Sequence, residues 1–289
     1  QENGRDYRLV DPQVFYLNPF QRRYQRNFPV ASYACRGGIL ADEMGMGKTV
    51  ELLALLLASK ASQDEAHQID GPTLVICPTS MIGQWRMEIE RRLEYQLKVA
   101  IYHGSKKNAF NLRRQDIVIT SYGTAASEWQ SDSSTFTAVH WGRIICDEAH
   151  VMRNQNTLCA KALSQLKAQS RWAVTGTPLQ NKLDDLHALL RFLRLEPWND
   201  LAWWKNAVKV PYEKGDKSAL TRLKTVLHPI MLRRTKDMKD SNGTPIVELP
   251  AKTVQVVTLK FSDQEREFFS ALKRHSRLEF DGIRAAGKV

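Results

Sequence analysis

Between Arg36 and Thr177, short runs of β-branched and other apolar residues alternate with stretches whose apolar positions recur every three or four residues. That alternation predicts βαβ units built around a parallel sheet. The strand-like runs are Gly38–Ala41, Thr73–Cys77, Lys98–Tyr102, Asp116–Thr120, Arg143–Cys146 and Arg171–Thr175. Each is short, apolar and followed by a polar turn, as expected of strands buried on both faces. Helical spacing marks Thr49–Ser59, Met81–Leu93, Leu158–Leu166 and Asp184–Leu193, which should cover the sheet. The predicted class is α/β, of doubly wound type.

The flanks read differently. Residues 1–35 are rich in Arg, Tyr, Phe, Asn and Pro without sustained periodicity and are expected to form an irregular arm. The polar stretch Ser59–Gly71 reads as a loop or a frayed helix end. After Pro197 an aromatic group (Trp198, Trp203, Trp204) leads into Lys- and Arg-rich helical sequence, a strand-like Thr253–Leu259 and a basic final helix from Ser262. This places a boundary near Pro197, with residues 36–197 as the α/β core and 198–289 as a mostly helical basic extension. Trp203 and Trp204 are read as core residues. No internal repeat or low-complexity tract occurs.

Composition narrows the function classes. With 289 residues, 43% hydrophobic and 25% charged, the chain can bury one large core or two small ones. Its longest apolar run, Leu52–Ala58, is far below the ~18 residues of a membrane span, so no membrane association is expected. The first residues carry no secretory pattern. Lys and Arg number 42 against 31 Asp and Glu, a net charge of +11, which favours a polyanionic partner. Residues 204–289 hold 18 basic and 10 acidic side chains, so +8 of the excess lies beyond the core. Cys35, Cys77, Cys146 and Cys159 are widely spaced, which argues against a zinc cluster or disulfide framework; Cys77 and Cys146 end apolar runs and read as small buried hydrophobes.

Two segments carry chemistry. In Gly37-Gly38-Ile39-Leu40-Ala41-Asp42-Glu43-Met44-Gly45-Met46-Gly47-Lys48-Thr49 a strand meets a glycine-rich turn and a helix. Glycines at 45 and 47 let backbone N–H groups turn inward around phosphate oxygens, and the following helix points its positive end at the same place. Lys48 would neutralise the β- and γ-phosphates and the Thr49 hydroxyl would ligate Mg²⁺. Asp42 stands where such loops have their first glycine. Farther on, Ile144-Ile145-Cys146-Asp147-Glu148-Ala149-His150 is an apolar strand ending in adjacent carboxylates. In a phosphate-loop enzyme Asp147 holds the Mg²⁺ shell and Glu148 polarises the attacking water.

With both segments placed, the chain resembles the first RecA-like lobe of a superfamily-two helicase-type motor of the Swi/Snf-like branch. The family's nucleotide loop corresponds to Asp42-Glu43-Met44-Gly45-Met46-Gly47-Lys48-Thr49, which accounts for Asp42. Further matches are Cys77–Trp85, Asp116–Tyr122, Asp147-Glu148-Ala149-His150 and Thr175-Gly176-Thr177-Pro178-Leu179-Gln180-Asn181. RNA helicases carry a Ser-Ala-Thr type element in place of Thr-Gly-Thr-Pro. Met231-Leu232-Arg233-Arg234-Thr235-Lys236 and Leu249-Pro250-Ala251-Lys252 are also similar to this branch. Within it, Phe15–Pro19 and Arg36-Gly37-Gly38 resemble DNA-damage-tolerance and repair ATPases that carry a RING insert between their lobes, although no RING cysteine pattern occurs here.

The resemblance implies the following roles. Asp42, Gly45, Met46, Gly47, Lys48, Thr49 and Val50 bind ATP, Thr49 and Asp147 hold Mg²⁺, and Lys48, Asp147 and Glu148 are catalytic. Thr79, Ser80, Thr120 and Ser121 are candidates for DNA phosphate contact. Arg233 and Arg234 either face DNA or brace the linker to a second lobe. Thr175, Thr177, Gln180 and Asn181 couple the γ-phosphate to lobe movement. Gln21 has a suitable spacing for an adenine-reading glutamine but lacks the apolar helix that should follow it, so it is left unassigned. The implied whole is a nuclear double-stranded-DNA translocase in repair or chromatin remodelling, with a second RecA-like lobe and with nucleosomes or repair proteins as partners. No run after residue 252 resembles that second lobe or its arginine fingers, so this chain alone is expected to hydrolyse ATP poorly. A nucleotide- and DNA-binding scaffold lobe without turnover is the alternative; a small P-loop kinase or GTPase lacks the Thr-Gly-Thr-Pro and Met-Leu-Arg-Arg segments.

Overall fold

A computed structural model describes residues 16–18, 23–25, 35–61, 69–93, 97–104, 111–131, 135–154, 157–178, 183–247, 250 and 253–285. In chain order the elements are β1 (Tyr16–Asn18), β2 (Arg23–Gln25), β3 (Gly37–Leu40), α1 (Lys48–Ala61), β4 (Thr73–Cys77), α2 (Ile82–Leu93), β5 (Val99–Ile101) and β6 (Ile117–Ser121). They continue with α3 (Tyr122–Gln130), α4 (Thr135–Ala138), β7 (Trp141–Asp147), α5 (Leu158–Gln165), β8 (Ala168–Val174) and α6 (Leu183–Leu193). The remainder are α7 (Leu201–Trp204), a π-helical turn at Lys205–Lys209, α8 (Val210–Glu213), α9 (Lys217–Leu227), β9 (Met231–Leu232) and α10 (Asp263–Ala285).

Among the described residues, seven strands form one sheet in the order β5-β6-β4-β7-β8-β3-β9, and every pairing in it is parallel. All strands therefore present their carboxyl ends at one edge, where α/β proteins bind ligands. β4, β6 and β7 are buried along their whole length, which is why they read as continuous apolar runs. Successive residues feed opposite layers. Ile39, Leu74, Ile76, Ile144, Cys146 and Ala173 pack into a core shared with Leu186, Leu190 and Trp204, while Leu40, Val75, Ile119, Ile145 and Val174 pack with Leu52, Leu53, Trp85 and Ile89 on the other face. Cys77 and Cys146 lie fully buried in these layers, and burial pushes the Cys77 thiol up to about 12, with the Asp147 charge adding to it.

The six expected strands and four expected helices all form, with ends displaced by a few residues. Several departures have local causes. The N-terminal arm includes an antiparallel pair, Tyr16↔Gln25 to Asn18↔Arg23. Helix α3, rich in small residues and lacking an apolar stripe, starts because the Ser121 hydroxyl accepts the Thr124 N–H, a side-chain N-cap. β9 adds a strand that the pattern did not signal: Ile39 and Ala41 N–H donate to the Ile230 and Leu232 carbonyls at 2.7 Å. Thr253–Leu259 forms no strand; the segment is exposed, with no ladder partner among the described residues.

The boundary expected near Pro197 lies instead at Val247–Glu248. The reason is packing: Trp204, Ala207, Val208, Leu223, Val226 and Leu227 belong to the same buried cluster as Ile39 and α6. Trp204 is fully buried and stacks on His187 at 5.3 Å, so it is a core residue; Trp203 meets Trp198 edge-on at 6.1 Å and packs, partly buried, against that core. In the C-terminal unit, α10 carries exposed Phe268, Phe269, Leu272, Leu278, Phe280 and Ile283. No described helix is long and apolar enough to cross a membrane.

Gly37 tests the β3–β8 junction. It sits at φ 130°, and an added Cβ would lie 1.9 Å from the Arg171 carbonyl oxygen. Gly37→Ala is therefore expected to lower stability by about 2 kcal/mol or more, read as a drop in the urea midpoint without a change in slope.

Candidate nucleotide-binding site

The order β7-β8-β3 sets three chemical segments side by side at the carboxyl edge: Asp147–His150 after β7, Thr175–Pro178 after β8, and the glycine-rich loop after β3. The loop is shaped by Gly45 at φ 85° and Gly47 at φ 89°, backbone that side-chain-bearing residues rarely adopt. A Cβ at Gly47 would meet nothing within 4 Å, so the loop faces open space that backbone amides can line. Lys48 and Thr49 open α1, beside the positive end of its dipole. The Lys48 ammonium donates to the Asp42 and Glu43 carbonyls at 2.8 and 3.2 Å, curling back over the loop. Met46 and Val50 lie in the same loop and first helical turn, both half-buried.

Asp42 is wholly buried. Its carboxylate accepts the Arg234 backbone N–H at 2.8 Å and the Arg234 Nε at 2.9 Å, and Arg234 Nη2 contacts both Asp42 and Glu51. Arg233 Nη1 donates to the Ala41 carbonyl at 3.1 Å and lies 3.5 Å from that of Gly176. The Glu43 N–H donates to the Arg234 carbonyl, and the Lys236 N–H to Glu43 Oε2, both at 2.9 Å. The two arginines expected at DNA or the linker thus clamp the glycine-rich loop. The physical reason is β9, whose pairing with β3 carries the chain directly past the loop.

Asp147 ends β7 with little exposure. Oδ2 accepts the Trp85 indole N–H at 2.8 Å, Oδ1 accepts the Glu148 N–H at 2.9 Å, and the Tyr122 hydroxyl donates to the Asp147 carbonyl at 2.7 Å. Burial raises the Asp147 pKa above the usual carboxylate range, opposed by the Trp85 and Glu148 hydrogen bonds and by the charges of Lys48 and His150. A buried carboxylate so placed fits a cation, and Thr49 with Asp147 could hold Mg²⁺. Glu148 adopts φ 50°, ψ 50°, a left-handed conformation that stores local strain, and its Oε2 lies 3.1 Å from His150 Nδ1.

The Thr175 N–H donates to the Leu40 carbonyl at 3.0 Å, and its hydroxyl accepts the Thr177 N–H at 3.2 Å. A Cβ on Gly176 would come within 3.0 Å of Met44 and 3.9 Å of Lys48 Nζ, so this segment touches the loop directly. Thr175, Thr177 and Pro178 share a small crevice with His150 and Arg153. Gln180, Asn181 and Gln21 lie outside the described residues. Of the four hydroxyls considered for DNA, Thr79 and Ser80 are exposed. Thr120 is fully buried and donates to the Tyr102 carbonyl at 2.8 Å, while Ser121 is buried as the α3 cap. Those two are consumed inside the fold.

Sequence reasoning missed Trp85 and Tyr122 as supports of Asp147. Their signal was available in principle, since buried indole and phenol groups require partners, but only the β4–α2 and β6–α3 connections reveal which partner.

A parallel-sheet lobe with this glycine-rich loop, this carboxylate pair and this Thr-Gly-Thr-Pro segment defines a P-loop ATPase of the helicase-like class. Residues 15–286 match the SNF2-related domain, and the chain belongs to that family. It is 40% identical to the DNA repair protein RAD5B of Arabidopsis thaliana over 98% of this chain and 25% of that protein. With the DNA repair protein rad8 of Schizosaccharomyces pombe it shares 40% over 95% of this chain and 26% of the relative. The SWI2/SNF2 ATPase core of Sulfolobus solfataricus in complex with dsDNA superposes with a TM-score of 0.61 at 34% identity, covering 69% of this chain and 40% of that one. The fold and the Swi/Snf-like assignment agree with the sequence reading, within the RAD5-related group. The chain spans about a quarter of these curated relatives.

Arg234→Ala should cost about 2–3 kcal/mol by leaving the buried Asp42 carboxylate without its guanidinium partner, with only the backbone N–H of residue 234 still donating to it. The double variant Asp42→Gly/Arg234→Ala should recover much of that loss, as read in a double-mutant cycle of chemical denaturation. Trp85→Phe should weaken Mg²⁺-dependent binding of a fluorescent ATP analogue by about tenfold, with Mg²⁺-free binding little changed.

Proposed function

We propose that this chain is the ATP-binding, N-terminal lobe of a DNA-dependent ATPase that translocates on double-stranded DNA in DNA repair or chromatin remodelling in the nucleus. The observation that carries it is the convergence of Lys48, Asp147, Glu148 and the Thr175–Pro178 segment on one sheet edge. The names of the DNA repair relatives and the duplex in the Sulfolobus structure support the choice of substrate.

In this reading Lys48 and the loop amides hold the β- and γ-phosphates, and Thr49 with Asp147 holds Mg²⁺, which when bound neutralises phosphate charge. Glu148 orients the attacking water and accepts its proton, held at its unusual backbone angle next to His150. Trp85 and Tyr122 keep the Asp147 carboxylate aimed, so no reorganisation is needed when charge develops. Gly176 links loop occupancy to the segment leading toward α6. Arginines from a second RecA-like lobe supply the remaining transition-state stabilisation, worth ~10³–10⁵ in rate; this chain by itself then turns over slowly. Thr79 and Ser80 track the DNA backbone without reading sequence. Nucleosomes or repair proteins are the expected partners of the assembled motor.

Steady-state ATPase of the two-lobe protein should be stimulated by duplex DNA and abolished by Lys48→Ala or Glu148→Gln; unchanged turnover in both would leave a binding-only lobe. Because Asp147 must be ionised to hold Mg²⁺ and its pKa is raised, apparent Mg²⁺ affinity should be flat at high pH. It should weaken on acidification beginning above the ordinary carboxylate range, as followed by a Mg²⁺ titration at several pH values. Log K for duplex DNA should fall steeply with log salt, and Thr79→Ala/Ser80→Ala should weaken binding equally across DNA sequences.

A further inference from the structure

The opposite edge of the sheet, where β4, β6 and β7 begin, holds a cavity of 340 Å³ whose lining includes Ser59, Lys60, Arg113, Arg114, Asp116 and Arg143. This volume is within the range of small-ligand sites. Arg143 is 3% exposed, yet among the described residues its guanidinium has a single hydrogen bond, Nη2 to Ser59 Oγ at 3.2 Å, and its Nε is buried without a partner there. No carboxylate among the described residues pairs with it, and burial alone shifts its pKa, downward. Asp116, an acid in the cavity lining, is committed elsewhere: it accepts Lys60 Nζ at 2.8 Å and the Lys98 N–H at 2.7 Å. Asp70 also lines the cavity but is exposed. Arg113 is held by the Ala138 carbonyl at 2.7 Å, and Arg114 is exposed.

An uncompensated buried guanidinium is costly unless a counter-charge completes it. The nucleotide cannot be that charge, because its loop lies at the other ends of the strands. We propose that this cavity is a binding site for a compact oxyanion, a phosphate or a carboxylate group, accepted by Arg143 with Lys60 and Arg114 at its mouth. An arginine fork suits oxyanions because its N–H groups present two parallel donors to two oxygens. The site is independent of the nucleotide reading and stands or falls separately.

The test uses the 289-residue chain carrying Lys48→Ala, so that phosphate at the nucleotide loop does not contribute. Thermal unfolding is followed in potassium phosphate, potassium acetate and potassium chloride at matched ionic strength. Phosphate, acetate or both should raise Tm saturably, by about 3–6 °C at ten times the half-saturating concentration, with no such rise in chloride. A response to phosphate alone identifies a phosphorylated ligand, and one to acetate a carboxylate. Arg143→Met should abolish the response while raising Tm in chloride, since it removes the unpaired charge. Arg114→Glu, at an exposed position, should keep the chloride Tm and weaken the apparent affinity at least about fivefold, which decides the matter if Arg143→Met does not fold. No saturable rise with either oxyanion, or a rise that survives both substitutions, overturns the proposal.

Discussion

A carboxylate with no exposure at all stands at the end of β3, where phosphate-binding loops ordinarily have a glycine, and an arginine from β9's continuation reaches it. Much of the nucleotide edge depends on that pair. A carboxylate buried there needs a partner, which Arg234 supplies, and Arg234 arrives only because β9 pairs in register with β3, Ile39 opposite Met231 and Leu40 opposite Leu232. The same contacts place Glu43 under Arg234 and Lys236 and leave the Asp42 and Glu43 carbonyls to receive Lys48. A segment far along the chain is thereby built into the phosphate loop. Movements of that segment and changes in the loop are expected to be coupled, since a paired buried charge has few intermediate arrangements.

The acidic half of the site is organised by the same economy. Asp147 has its two carboxylate oxygens taken by Trp85 and the Glu148 amide, and its carbonyl by Tyr122, so three elements from both layers of the fold meet on one residue. Burial raises its pKa while the approach of Lys48 and His150 opposes the shift; the balance favours a group that gains from an incoming cation. Arg143, at the far ends of the strands, presents the complementary imbalance, a buried positive group with one hydrogen bond among the described residues. The two edges of one sheet thus carry unfilled valences of opposite sign.

How much could be read without coordinates differs by type of information. The six core strands and four helices were legible because burial on both faces imposes continuous apolar runs and amphipathic spacing. Lys48, Asp147 and Glu148 stood out as candidates because the chemistry of a phosphate loop needs fixed residue types after strand ends. Helix α3 was not, since its start rests on the Ser121 cap rather than on an apolar stripe. Nor was β9, a two-residue strand whose stability comes from the Ile230 and Leu232 carbonyls meeting β3. The arginines at 233 and 234 were recognisable as significant but not as a clamp, and Thr120 and Ser121 could not be separated from Thr79 and Ser80 until burial distinguished them.

By itself, then, the amino-acid order determined the α/β class, the phosphate loop, the carboxylate pair and the family, because local periodicity and short-range spacing encode them. Tertiary structure alone decided that the core extends past Pro197 to Ile230, that Arg234 pairs with Asp42, that Trp85 holds Asp147 and that Arg143 lacks a counter-charge among the described residues. Each of these depends on which distant segments pack together, and a pairing across 192 positions, such as Arg234 with Asp42, leaves no periodic trace in the chain.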